Sequence, residues 1–111
     1  MSRTRWHIER AEDRVLLTRR VPARFDVAAC TDLPALRLMP LVHMVRQDIW
    51  RALRGLRGFA PVVEAHTVAS GVQVKAGGQV SGRMAREQIE TTLRMLLEDA
   101  PTRARWIRCA R

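Results

Sequence analysis

The chain has 111 residues, with 20 Lys or Arg against 11 Asp or Glu, which gives a formal net charge of +9. This length suits one domain that buries its own core, and the two cysteines, Cys30 and Cys109, form no paired motif. We therefore expect a single reduced, cytoplasmic domain over residues 1–111 and no disulfide scaffold. The longest apolar run, residues 33–45, is interrupted by prolines and is too short to cross a bilayer, so no membrane association is expected.

The first half of the chain predicts an arm, two strands and a helix. Residues 1–13 are expected to form a mobile basic arm or a frayed strand. Short valine-containing segments predict strands over 14–22 and 24–30. Apolar residues then recur at helical spacing and predict an amphipathic helix over 41–56; they are Leu41, Val45, Ile49, Ala52, Leu53 and Leu56.

The second half predicts a hairpin followed by a helix. Valine-rich segments over 59–70 and 72–76 indicate paired strands, with a further short strand near Val80. A tight turn is expected at Gly77–Gly78, after which Ser81 would cap a helix over 83–99 that ends before Pro101. Residues 101–111 are expected to be a basic tail or a short helix.

The resulting order of elements is β-β-α-β-β-α. Strands and helices come in blocks, which differs from the alternation of βαβ units. This order predicts an α+β domain with two layers, in which helices cover one face of an antiparallel sheet.

The glycine-rich stretch GGQVSGRM, residues 77–84, has the outer spacing of a phosphate-binding loop. Arg83 stands where that loop has lysine, and Met84 stands where it has the hydroxyl that binds magnesium. We therefore predict a structural turn rather than a nucleotide site. Arg83 and Arg86 would at most favour an anion at the helix start.

The first predicted helix carries basic and aromatic residues beside its apolar stripe. Arg46, Trp50 and Arg54 are successive i, i+4 neighbours, so the indole is expected to lie between two guanidinium groups. His43 and Arg57 extend this set. Such a surface attracts phosphates and unpaired bases, although Trp50 could equally pack against another part of the protein or a dimer partner.

The second helix and the C-terminal segment differ in charge balance. Arg86, Glu90, Arg94 and Glu98 alternate in sign at i, i+4, which predicts a solvated face that compensates its own charge. The C-terminal segment adds Arg103, Arg105 and Arg108 without an acid. We expect these three arginines to add nonspecific attraction and Trp106 to dock on the fold.

Catalytic and metal-binding patterns are weak. Glu64 and His66 would share a strand face, but no nucleophile or second acid accompanies them. The histidines and cysteines have no zinc-ligand spacing, so no cofactor or metal is expected. The sequence favours a non-catalytic module that binds nucleic acid, DNA or RNA, through the helix surface. The alternative is a regulatory or assembly subunit that docks on an acidic protein or forms a homodimer.

Overall fold

The structure is a computed structural model that describes residues 6–82 and 85–111. Within these residues, five strands and three helices follow in the order β1 (His7–Ala11), β2 (Arg14–Thr18), β3 (Val27–Leu33), α1 (Leu38–Ala52), β4 (Phe59–Val68), β5 (Gly71–Val80), α2 (Arg86–Leu97) and α3 (Ala100–Ala110). This confirms the predicted α+β class and the order of its main elements. Residues 7–11, which we expected in a mobile arm or a frayed strand, form the additional strand β1.

The sheet is antiparallel throughout, with the strand order β1-β2-β4-β5-β3. Strands β4 and β5 form the central hairpin, which pairs from Phe59↔Val80 to Val68↔Gly71. The segment from β2 to β3 passes the ends of these two strands. There, the backbone N–H of Val80 donates to the Asp26 carboxylate at 2.9 Å, which ties the crossing segment to β5.

The core lies between the sheet and the helices, because alternate strand residues share one apolar face. Val15 and Leu17 of β2, Val63 of β4 and Val74 of β5 are almost fully buried in one cluster with α1. Four members of the predicted apolar stripe join this cluster, namely Leu41, Val45, Ile49 and Leu53, and α2 adds Ile89, Leu93 and Leu97. Of the other two predicted members, Leu56 is partly buried against the cluster and Ala52 is exposed. Helix α3 packs beside α1. The predicted placement of the helices on one face is thus confirmed.

The predicted turn at Gly77–Gly78 is wrong, because both glycines lie inside β5. They mark close approaches of neighbouring backbones. A Cβ atom on Gly77 would lie 2.0 Å from the Val27 carbonyl oxygen, and one on Gly78 would lie 2.2 Å from the Ala60 carbonyl oxygen. A glycine in a strand can therefore allow tight packing as well as a turn.

Helix boundaries also differ from the predicted ones. Helix α1 ends at Ala52 rather than near residue 56, and the N-cap of α2 is Ala85, so Ser81 does not cap it. The C-terminal segment forms α3, whose first turn contains Pro101. The Asp99 carboxylate caps α3 by accepting the backbone N–H of Thr102 at 3.1 Å. Arg83 lies outside the described residues.

Candidate functional site

Helix α1 positions the candidate site by burying one stripe and exposing the next. Leu41, Val45 and Ile49 have no exposed surface, which fixes the rotation of the helix on the sheet. The adjoining stripe then faces outward and borders a surface depression of about 460 Å³; its lining residues are Arg46, Gln47, Trp50, Arg51 and Arg54. The predicted grouping of Arg46, Trp50 and Arg54 therefore occurs in the structure.

A second, smaller depression adjoins the first through Arg46 and Trp50. It has a volume of about 220 Å³ and is completed by Trp6, which precedes β1, and by Arg19, which follows β2. We call the two depressions together the Arg/Trp cleft. Trp6 and Arg19 were missed by the sequence reasoning, because they reach α1 only through the pairing of β1, β2 and β4 in the sheet.

Guanidinium groups and indole rings alternate across the cleft. The Arg46 guanidinium carbon lies 4.6 Å from the centroid of the Trp6 ring, and that of Arg19 lies 5.9 Å from the centroid of Trp50. Both distances fall within the range of cation–π attraction. The cleft is thus electropositive and also offers aromatic surface.

Trp50 stacks on a neighbouring ring and is also partly exposed to solvent. Its ring lies nearly parallel to that of Phe59, with 12° between the planes and 6.5 Å between the centroids. Phe59 is buried, whereas 39% of Trp50 is exposed. A buried phenyl ring therefore supports the indole, which still presents part of its surface to solvent.

Few carboxylates neutralise the positive charges of the cleft. Arg54 has no carboxylate partner among the described residues, and Arg51 lies 3.8 Å from Asp48 Oδ1. The Nε atom of Arg46 is buried and has no hydrogen-bond acceptor in the described part of the chain. Burial lowers the pKa of Arg46 by desolvation, yet guanidinium remains charged near neutral pH. The arginines of α1 thus leave an excess of positive charge.

Two arginines of the C-terminal segment serve the fold instead. Arg103 donates to the Thr31 hydroxyl at 2.6 Å and to the Leu97 carbonyl oxygen at 2.9 Å. Arg105 donates to the Asp48 carboxylate. Neither lines the Arg/Trp cleft.

The other predicted site residues lie near α1 or on α3 without joining the cleft. His43 is half-buried on α1, and Arg57 is exposed beyond the end of that helix. Arg108 is exposed in the last turn of α3. None of the three lines either depression of the cleft.

Trp106 is fully buried, which confirms the expected docking of the C-terminal segment. Its indole N–H donates to Asp48 Oδ2 at 2.7 Å, so the acid of α1 anchors α3. The three tryptophans of the chain therefore fall into two groups. Trp6 and Trp50 line the cleft, and Trp106 belongs to the core.

The weaker catalytic and metal candidates acquire no further support. Glu64 accepts a hydrogen bond from Arg14 Nε, which engages the carboxylate that we had paired with His66. Within residues 6–82 and 85–111, no three His, Cys, Asp or Glu side chains converge as a metal site. The Arg/Trp cleft remains the most developed candidate site.

Comparison with known proteins gives no matching family model, no matching curated protein and no matching solved structure. Among the described residues, no helix combines the length and the apolar character needed to span a membrane.

Proposed function

We propose that this protein is a small basic module that binds single-stranded nucleic acid through the Arg/Trp cleft. One observation carries the proposal: the half-exposed Trp50 ring is supported by Phe59 and surrounded by arginines with few acid partners. Aromatic rings stack unpaired bases, and guanidinium groups bind phosphates. The cleft thus offers a binding group for each of the two parts of a single strand, the bases and the phosphates.

The bases would contact the aromatic part of the cleft. Base–aromatic stacking contributes about 1–3 kcal/mol per base and tolerates any sequence. Phe59 holds the Trp50 indole in place, so little side-chain freedom would be lost on binding. A base would lie over the exposed part of Trp50, next to the Arg19 guanidinium.

The phosphates would contact Arg46 of α1 and Arg54, which follows the end of that helix. Arg46 lies one turn before Trp50, about 6 Å from it along the helix axis, and Arg54 lines the same depression from the other side of Trp50 in the sequence. The formal net charge of +9 adds long-range attraction. Binding of this kind weakens as salt rises, because condensed counterions are released.

The preference for a single strand follows from the indole. In a duplex the flat faces of the bases are stacked on one another, so Trp50 would have no base to stack on. An acidic protein surface would satisfy the arginines and would likewise leave the indole unused. These differences separate the proposal from simple attraction between opposite charges.

The proposal is tested by fluorescence anisotropy of labelled strands of about 12 nucleotides, a length within the range of about 4–16 nucleotides that one small domain covers. Single-stranded DNA and RNA and the matching duplex are titrated with protein at about 50 and 200 mM salt. Polyglutamate serves as the competitor that mimics an acidic protein. We expect single strands to bind more tightly than the duplex and to resist polyglutamate.

The matched variants are Trp50→Ala and Trp50→Phe. The alanine variant should lose the preference for single strands, and the phenylalanine variant should keep part of it. Equal affinity for duplex and single strand, or complete displacement by polyglutamate, would contradict the proposal. Equal binding by Trp50→Ala and wild type would contradict it as well.

A further inference from the structure

The two edges of the sheet are protected differently. At the β3 edge, the backbone N–H of Ala28 donates to Glu90 Oε2 at 3.0 Å, and the backbone carbonyl of Asp32 accepts Arg103 Nη2 at 2.7 Å. Side chains of α2 and α3 thus occupy hydrogen-bonding groups of that edge. Strand β1 forms the other edge, and in the described part of the chain it pairs with β2 alone.

Strand β1 has the features of an edge that pairs with another strand. All five of its residues are exposed, and Ile8 keeps 40% of its surface in solvent. Ile8 pairs with Leu17 of β2, so its side chain lies on the face that the helices cover. An unpaired row of backbone groups beside an exposed isoleucine is a template for strand addition.

We propose that two copies of this chain associate through β1, which pairs antiparallel with β1 of the partner subunit. The two five-stranded sheets would then form one continuous sheet. The occupant of the edge is a second copy because β1 forms complementary pairs with itself when the two-fold axis lies at Ile8. This inference does not depend on the proposed binding of nucleic acid.

The register follows from symmetry and charge. A two-fold axis between antiparallel strands runs perpendicular to the sheet, so residues on the same face must pair. An axis at Glu9 would place two carboxylates opposite each other, and an axis at Arg10 would place two guanidinium groups together. Both arrangements are unfavourable.

An axis at Ile8 gives favourable pairs throughout. Ile8 then faces Ile8 of the partner subunit, on the helix-covered face. His7 faces Glu9 of the partner subunit on the opposite face, and Trp6 faces Arg10 of the partner subunit. Each of the last two pairs occurs twice by symmetry, and they combine a carboxylate with an imidazole and a cation with an indole.

The helices leave room for this pairing. Helix α1 packs mainly over β2 and β4. Strands lie about 4.8 Å apart, so β2 and β2 of the partner subunit would be separated by roughly 14 Å, more than the diameter of one helix. The association would also bring the two Trp6 side chains, and with them the two Arg/Trp clefts, to the same side of one assembly.

The test is sedimentation equilibrium of the full chain without nucleic acid, from micromolar to near-millimolar concentration, in salt that screens the net positive charge. The expected mass at high concentration is twice the chain mass of 12.7 kDa. Glu9→Lys puts a cation opposite His7 at two symmetric positions, and we expect it to weaken association at least tenfold. Glu12→Lys makes the same charge change outside the paired residues and should leave association unchanged.

A second variant, in which the two paired residues exchange charge, separates loss of the pairing from unfolding of β1. In the double variant His7→Glu/Glu9→Lys, the two partners swap sign, so association should return toward that of wild type. A mass of one chain at every concentration would overturn the proposal. A dimer that Glu9→Lys and Glu12→Lys affect equally, or that the double variant fails to restore, would overturn it too, because a different surface would then hold the subunits together.

Discussion

The arginines of α1 and those of α3 stand in contrasting environments. Arg46 of α1 and Arg54, which follows that helix, border an open depression beside an exposed indole. On α3, Arg103 and Arg105 donate to a hydroxyl, to backbone carbonyls and to a buried carboxylate. The same residue type therefore binds the protein itself in one region and faces solvent in the other.

Net charge alone does not show which arginines are available to bind a partner. Of the basic residues that make this chain positive, some hold α3 to the core and others remain available to a partner. An arginine that already donates to several acceptors would have to break those bonds in order to bind a phosphate. The position of the acids, especially Asp48, decides which arginines belong to which group.

The largest effect is expected when the acid that anchors α3 is removed. Asp48→Ala leaves the buried Trp106 N–H without its acceptor and Arg105 without its carboxylate, so we expect a loss of about 3 kcal/mol in the free energy of unfolding. Asp48→Asn keeps an acceptor oxygen and should lose less. Urea unfolding measures both variants, and an unfolding free energy of Asp48→Ala equal to that of wild type would contradict the account.

Replacing the exposed indole of Trp50 should reduce binding more than it reduces stability, which is the opposite of the effect expected at Asp48. Trp50→Ala removes the proposed stacking surface, so we expect affinity for a single strand to fall about tenfold, which corresponds to about 1.4 kcal/mol. Most of the effect should appear in binding, because Trp50 is only half-buried. Anisotropy titrations and thermal unfolding of the same preparation measure the two effects. A large loss of folding with unchanged affinity would make Trp50 a packing residue.

Single arginine changes give a smaller and more selective effect. Arg54→Gln removes a proposed phosphate contact, so the slope of log affinity against log salt should fall by about 1. Arg86→Gln is the matched control, since Arg86 lies 3.6 Å from Glu90 on α2. Its slope should stay close to that of wild type. Equal changes in both variants would mean that net charge, and not the cleft, governs binding.

The smallest effect concerns Asp26, which joins the β2–β3 segment to β5. The hydrogen bond from Arg24, together with that from the Val80 N–H, holds the pKa of Asp26 below its usual range. A carboxylate with a lowered pKa stabilises the fold above its unfolded pKa of about 4, and this stabilisation disappears as pH falls through the lower folded value.

We therefore expect the thermal midpoint of wild type to exceed that of Asp26→Asn at about pH 6, with the gap narrowing at about pH 3. Scanning calorimetry at several pH values measures the gap. The asparagine keeps an acceptor for Val80 and so isolates the charge. A gap that stays constant over this range would show that the ionised carboxylate contributes nothing.

Sequence periodicity could predict the main elements and the part of the cleft that lies on and beside α1. The helical spacing of Leu41, Val45 and Ile49 fixes which side of α1 is buried, and the position of Arg46 and Trp50 follows from the same spacing. Local pattern is sufficient here because these residues belong to one helix, and Arg54 follows its end closely.

The remaining features depend on contacts between distant segments. Trp6 and Arg19 reach α1 through strand pairing, and Arg103 finds Thr31 and Asp32 across the fold. Gly77 and Gly78 occur in a strand because neighbouring backbones approach them closely. No local pattern encodes these relations, so the sequence predicted a turn at the glycines and a binding role for Arg103.

Binding at the Arg/Trp cleft is observed residue by residue in a two-dimensional ¹H–¹⁵N spectrum recorded during titration with a short single strand. The chain has three tryptophans, each with one indole N–H signal. Trp6 and Trp50 line the cleft, and Trp106 is buried and bonded to Asp48, so it serves as an internal reference. We predict that the signals of Trp6 and Trp50 shift together while that of Trp106 stays in place. Shifts confined to α2 and α3, with the Trp50 signal unmoved, would contradict the assignment of the cleft.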